Sequence, residues 1–184
     1  VGTILAAMAF AAAWHFDWLH DYQKDRVLNF ISPELDVQDA GWHTIQAAIA
    51  IGSGGLFGKG WLNGTQTHLE FLPEKHTDFI FAVYGEEFGL LGGIVLVVLY
   101  LLFIGRCFLI AANASTLFGR LMAGSMTLMF FTYAFVNMGM VTGMLPVVGV
   151  PLPFMSFGGT ALMTLFIAVG ILMSVQSHRK LVNS

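Results

Sequence analysis

The chain has 184 residues, of which 57% are hydrophobic and only 10% are charged, and its formal net charge is −3. Soluble domains carry about 25% charged residues, so this composition excludes an ordinary soluble domain and predicts an integral membrane protein. The small net charge gives no sign of nucleic-acid binding, and a single cysteine, Cys107, excludes an intramolecular disulfide. The apolar runs lack a two-residue alternation, which favours membrane-spanning helices over barrel strands.

Four apolar segments predict the spans of one all-α, polytopic membrane domain over 1–184. The first, 1–14, is shorter than the ~20 residues that a spanning helix needs, so we expect it to be the end of a span in a truncated chain. The others are 79–110, 121–141 and 157–175.

Basic residues of the short connections predict the orientation. Arg106 and Arg120 flank the loop between two spans, and the tail 176–184 carries two more basic residues. Short loops rich in Lys and Arg lie in the cytoplasm, so we expect the C-terminus there. The segment 15–78 then forms one large extracytoplasmic loop, and the proline-rich segment 142–156 lies on the same outer side.

The large loop is too apolar to be a simple linker. Its segment 16–31 suits an amphipathic helix. The next segment, 37–51, places four apolar residues on one face at helical spacing, namely Trp42, Ile45, Ala48 and Ile49. That segment is too short to span, so we expect it to lie at the interface or dip into the membrane. The glycine-rich SGGLFGKG at 53–60 lacks the residues of a phosphate-binding loop and predicts a turn at the membrane surface.

The stretch FLPEKHTDFIFAVYGEEFG, at 71–89, brings ionisable residues to the start of a span. Thr77 is the predicted N-cap, which places Asp78 in the first helical turn. A straight helix from Asp78 to Arg106 would be about 42 Å long, which matches a bilayer with its headgroups. We therefore expect Asp78 at the outer headgroup level and Glu86 about 12 Å deeper. Ionisable residues at such depth mark functional sites, although Asp78 could also simply compensate the helix dipole.

The segment LPVVGVPLPFMSFGGT, at 145–160, contains three prolines that exclude a regular helix. Irregular backbone at membrane depth is tolerated where it lines a cavity. Free N–H groups near Ser156 suit an anion such as a phosphate, or the segment is a plain helix start. On residues alone, general base catalysis on a lipid-linked substrate, a proton-coupled transporter and a flippase all remain open.

Three stretches together carry a family resemblance: GLFGKGWLNGTQTHLEFLPEKHTDFIFAVYGEEFG at 55–89, the proline-rich segment, and the basic tail. They resemble the C-terminal half of the SEDS family, the shape, elongation, division and sporulation proteins of bacteria. The triplet Gly64-Thr65-Gln66 is similar to the elongation, RodA-like branch rather than the division, FtsW-like branch. The resemblance implies a bundle of about ten helices, of which four lie in this chain.

The resemblance also implies an activity. SEDS proteins are peptidoglycan glycosyltransferases that join lipid II units into glycan strands, with inversion, on the outer face of the bacterial inner membrane. Asp78 matches the family's key aspartate, the general base on the acceptor hydroxyl. The further substrate-binding candidates are Glu74, Lys75, His76, Glu86 and Ser156.

Partners and cofactors follow from the same resemblance. It implies a class B penicillin-binding protein as transpeptidase partner, the elongation machinery, lipid II and nascent glycan, and no nucleic acid. A divalent cation, Mg or Mn, is associated with the family, but no segment forms a convincing ligand cluster. The alternatives are a lipid II flippase whose path Asp78 and Glu86 line, an FtsW-like division paralogue, and a scaffold that only recruits the transpeptidase.

Overall fold

A computed structural model describes residues 40–64 and 77–177, and in these residues all regular structure is helical. The helices are α1 (Ala40–Gly54), α2 (Ile80–Ala112), α3 (Leu117–Val141) and α4 (Gly159–Ser177). Of these, α2, α3 and α4 are long and apolar enough to cross a membrane. The predicted all-α membrane fold is therefore confirmed. The predicted span 1–14, the helix at 16–31 and the tail beyond residue 177 lie outside the described residues.

The helix α2 is central, because it packs extensively against both α1 and α3, while α4 packs against α2 and α3. The N-cap of helix α3 is Thr116, whose side chain accepts a hydrogen bond of 3.1 Å from the Gly119 N–H. It ends at Val141, and the φ of 75° at Gly143 lets the Met144 N–H donate back to the Gly139 carbonyl. The chain after α3 is thus turned back toward the start of α2.

The helix α2 is broken at Gly89, which has φ 65° and ψ −164°. The glycine-rich segment 55–60 lies against this break. There the N–H groups of Lys59 and Gly60 donate to the carbonyls of Glu86 and Glu87, and the N–H groups of Leu90 and Leu91 donate to the carbonyls of Gly55 and Leu56. Backbone groups that the helix leaves unpaired are therefore paired by the loop, as an apolar environment requires.

This break corrects the depth estimate made from the sequence. A straight helix from Asp78 to Arg106 was assumed, and the interruption at Gly89 makes that length invalid. The part of α2 before Gly89 is regular, but Asp78 precedes its first residue, Ile80, so the spacing of about 12 Å between Asp78 and Glu86 stays a prediction. Arg106 lies with Val175 and Gln176 around one small cavity, which puts it at the same end of the bundle as the end of α4.

Small residues form the contact between α1 and α2. Ala47 and Ala50 are fully buried, and a Cβ atom added to Gly54 would lie 2.2 Å from the Gly85 carbonyl oxygen. The apolar face predicted from helical spacing is not the packing face, since Ala48 is exposed and Ile49 is 46% exposed. The packing face carries small side chains because these let the backbones of α1 and α2 approach closely at Gly54 and Gly85.

Candidate active site

Asp78 lies in a turn that precedes α2 rather than in its first helical turn. The N-cap of α2 is Phe79, which makes no side-chain capping bond, and the Ala82 N–H donates to the Phe79 carbonyl over 2.9 Å. The predicted N-cap at Thr77 is therefore wrong. The Phe79 side chain is 3% exposed, and α2 starts at Ile80, two residues beyond Asp78.

Ser156 joins this turn to the proline-rich segment. Its hydroxyl donates to the Thr77 carbonyl and accepts from the Leu152 N–H, the latter over 2.7 Å. The Ser156 N–H donates to the Leu152 carbonyl over 3.0 Å. The predicted free N–H at Ser156 is thus hydrogen-bonded within the protein, and so is the Ser156 hydroxyl. The helix α4 begins only at Gly159, three residues later.

Asn137, on α3, forms a second connection to the same turn. The residue is fully buried, and its Nδ2 atom donates to the Asp78 carbonyl over 2.8 Å and to the Val150 carbonyl over 2.7 Å. Its Oδ1 atom is buried and makes no hydrogen bond within the described residues. Sequence analysis did not single out Asn137. Its signal was a lone amide in an otherwise apolar stretch of a span.

The Asp78 side chain is half-buried and faces Gly149. Gly149 has φ 76°, and a Cβ atom added there would lie 3.2 Å from the Oδ2 atom of Asp78. The carboxylate therefore lies against bare backbone of the proline-rich segment. The structure thus brings Asp78 and Ser156 together with the segment 145–156, as the sequence suggested.

A second polar centre lies about two helical turns further along α2. The Glu86 side chain is fully buried, and its Oε1 atom is 2.7 Å from Nζ of Lys59, whose side chain is 27% exposed. The Lys59 N–H also donates to the Glu86 carbonyl over 3.1 Å. A buried carboxylate is tolerated when it is paired in this way. Lys59 was missed because its segment was interpreted as a surface turn.

The remaining candidates, Glu74, Lys75 and His76, lie outside the described residues. Within 40–64 and 77–177 no three His, Cys, Asp or Glu side chains are grouped closely enough to hold a metal ion. These residues therefore supply no ligand set for the divalent cation that the family resemblance implies. They do supply a half-buried carboxylate beside Gly149, in a turn whose carbonyls accept hydrogen bonds from Asn137 and Ser156, and this carboxylate can accept a proton from a bound hydroxyl.

Comparison with known proteins identifies relatives over nearly the whole chain. Residues 1–181 match the model of a family described as cell cycle protein and named for FtsW, RodA and SpoVE. The peptidoglycan glycosyltransferase MrdB of Escherichia coli (strain K12) is 56% identical over 183 residues, which cover 100% of this chain and 49% of the relative. The peptidoglycan glycosyltransferase RodA of Treponema pallidum (strain Nichols) is 45% identical over 161 residues, which cover 88% of this chain and 37% of the relative.

The fold has a solved counterpart as well. A structure from a peptidoglycan synthase complex that coordinates polymerization and crosslinking matches with a TM-score of 0.78 and 30% sequence identity. The match covers 98% of this chain and 48% of the other. The chain thus spans about half the length of the relatives that it matches.

Proposed function

The chain belongs to the SEDS family of FtsW, RodA and SpoVE cell cycle proteins, and on this premise we propose that the whole protein polymerises peptidoglycan. It is a glycosyltransferase that joins lipid II units into glycan strands for cell elongation and rod shape. The observation that carries the proposal is the Asp78 carboxylate, which lies against Gly149 in a turn bonded to α3 and to the proline-rich segment. The relative that is 56% identical is itself named a peptidoglycan glycosyltransferase.

In the proposed reaction Asp78 is the general base. One of its carboxylate oxygens takes the proton from the acceptor hydroxyl of lipid II as that oxygen attacks the anomeric carbon of the donor. The bond from this carbon to the diphosphate breaks, and the undecaprenyl diphosphate leaves with the electron pair. Attack opposite the leaving group converts the α linkage to a β linkage. A half-buried position suits this role, because the carboxylate is fixed and can still be reached.

The neighbouring ionisable residues receive supporting roles. Lys75 and His76 lie three and two residues before Asp78 and suit the phosphates of the substrates as positive charges or hydrogen-bond donors. Glu74 is proposed to orient Asp78. Glu86 remains a weaker substrate-binding candidate, because its carboxylate already pairs with Lys59 inside the protein.

The protein is a membrane protein, and we place it in the bacterial inner membrane. Asp78 lies at one end of α2, whereas Arg106 lies toward the other, beside the end of α4. Basic residues favour the cytoplasmic side, so Asp78, the large loop 15–78 and the segment 142–156 face outward. This is the side on which a lipid-linked precursor is polymerised outside the cell.

A class B penicillin-binding protein is the proposed partner. The structural relative is a synthase complex in which polymerization and crosslinking are coordinated. A transpeptidase beside this polymerase would crosslink the new strand, and the elongation machinery would position both. The triplet at 64–66 favours this elongation role over division.

The experiment uses the full-length protein with its transpeptidase partner, lipid II and a gel that separates glycan products. Wild type is compared with Asp78→Asn, which keeps size and hydrogen bonding but removes the base. We expect polymer to disappear while folding and partner binding persist. Polymer of normal length from the variant would refute the base assignment.

A lipid II flippase is the second candidate, and transport into vesicles by the same two proteins tests it. A flippase would move lipid II without lengthening glycan, and Asp78→Asn would slow that movement. The structure gives this reading less support, because Glu86 is fully buried and ion-paired instead of lining an open path.

A further inference from the structure

Asp78 depends on other elements for its position. It precedes α2, so the helix itself does not fix its conformation. Two side chains donate hydrogen bonds to the carbonyls of the turn that contains Asp78. Ser156 donates to the Thr77 carbonyl, and Asn137 donates to the Asp78 carbonyl. Of these two, Asn137 is the one that bonds directly to the backbone of the proposed base.

The Asn137 amide also bonds to the proline-rich segment, which the Asp78 carboxylate faces. Its second bond goes to the carbonyl of Val150, the residue that follows Gly149. Gly149 is the residue that faces the Asp78 carboxylate. The Asn137 amide therefore bonds to the backbone of Asp78 and to the backbone of Val150. The separation between these two segments sets the position of the Asp78 carboxylate.

The orientation of this amide follows from its surroundings. Both of its partners are carbonyl oxygens, which only accept hydrogen bonds, so the NH₂ end must face them. The Oδ1 atom is then buried with no hydrogen bond in the described part of the chain. Such an atom costs stability, and an apolar side chain would avoid that cost. A buried amide kept in this state within a span points to a functional role.

We propose that Asn137 is a positioning residue, which holds the Asp78 carboxylate at a fixed distance from the Gly149 wall through its two bonds. The inference rests on the proposed role of Asp78 as general base. A base that shifts by a fraction of an ångström transfers protons less efficiently, whereas the substrates still bind. Loss of Asn137 therefore lowers kcat and leaves KM nearly unchanged.

The test measures kcat and KM for lipid II polymerisation by full-length protein with its partner. Asn137→Leu removes both bonds, and we expect kcat to fall at least about tenfold with KM within about twofold. The matched control is Thr127→Val on the same helix. Thr127 is buried, and its hydroxyl bonds only to the Ala123 carbonyl of its own helix among the contacts seen, so this variant keeps wild-type kinetics.

A second variant guards against misfolding of the first. In Asn137→Ser the new hydroxyl can bond to its own helix as that of Thr127 does, so α3 stays intact. The hydrogen bonds to Asp78 and Val150 are both lost. We expect the same selective fall in kcat. Wild-type kcat in either folded variant, or a raised KM with unchanged kcat, would overturn the inference.

The comparison with Asp78→Asn separates the two proposals. If Asp78→Asn is inactive and Asn137→Leu is fully active, only the positioning role fails. If Asp78→Asn is active, the base assignment fails and the inference fails with it.

Discussion

Nζ of Lys59 lies 2.7 Å from Oε1 of Glu86, and this ion pair joins the loop after α1 to the buried side of α2. The same two residues are joined again through their backbones, over 3.1 Å. The Glu86 side chain is fully buried, whereas the Lys59 side chain is 27% exposed. The pair thus stands at the point where the loop meets the break at Gly89.

Removal of the cation should destabilise the protein. Lys59→Met leaves the buried Glu86 carboxylate without the charge that faces it, and we expect a loss of about 3 kcal/mol, seen as a lower apparent Tm of the full-length protein. The double variant Lys59→Met/Glu86→Gln has no buried charge here and should recover much of the loss. Equal Tm values for Lys59→Met and wild type would show that the pair contributes nothing to stability.

Gly89 should tolerate no side chain. Its φ of 65° disfavours any other residue, and a Cβ atom there would lie 2.3 Å from the Gly58 nitrogen. We expect Gly89→Ala to cost at least about 3 kcal/mol, because the loop must move away and its bonds to α2 are lost. Thermal unfolding of the purified full-length protein measures this.

Gly93→Ala is the control for that substitution. Gly93 lies one helical turn further along α2, and a Cβ atom there would meet no atom within 4 Å. Its apparent Tm should match wild type. If both alanine variants lose the same stability, the close approach at Gly89 is not the cause.

A substitution at Ser156 distinguishes a role in positioning Asp78 from a role in phosphate binding. Ser156→Ala removes the donor to Thr77 and the acceptor of the Leu152 N–H, so we expect kcat to fall with KM unchanged and stability to drop by about 1–3 kcal/mol. Steady-state kinetics with lipid II measure the split. A raised KM with normal kcat would instead assign Ser156 to the lipid-linked phosphate.

Ser125→Ala serves as the matched variant. The Ser125 hydroxyl is exposed and bonds to the Met122 carbonyl of its own helix over 2.8 Å. Loss of this bond should change neither kcat nor KM. A similar kinetic change in both serine variants would indicate a general loss of structure.

The three spans of the described residues could be predicted from the sequence, because they follow from local composition, whereas the role of Asp78 stays a prediction. The break at Gly89 could not, since it depends on hydrogen bonds to a segment about thirty residues earlier. Of the glycines at 85 and 93 in α2, Gly85 lies close to Ile51 of α1, whereas Gly93 has no neighbour of this kind. The N-cap at Thr77 was mispredicted because its carbonyl and that of Asp78 are bonded by distant side chains.

The interruption of α2 also bears on how the protein is made. A membrane span normally satisfies its own backbone as it leaves the translocon, but α2 cannot do so around Gly89. The backbone hydrogen bonds there are made by the segment 55–60, which is synthesised first. That segment must remain near until α2 emerges. We consequently expect one cooperative unit, which forms and opens as a whole, to contain the amide hydrogens of Lys59, Gly60, Leu90 and Leu91. We therefore expect the insertion of α2 to be coupled to docking of the preceding loop.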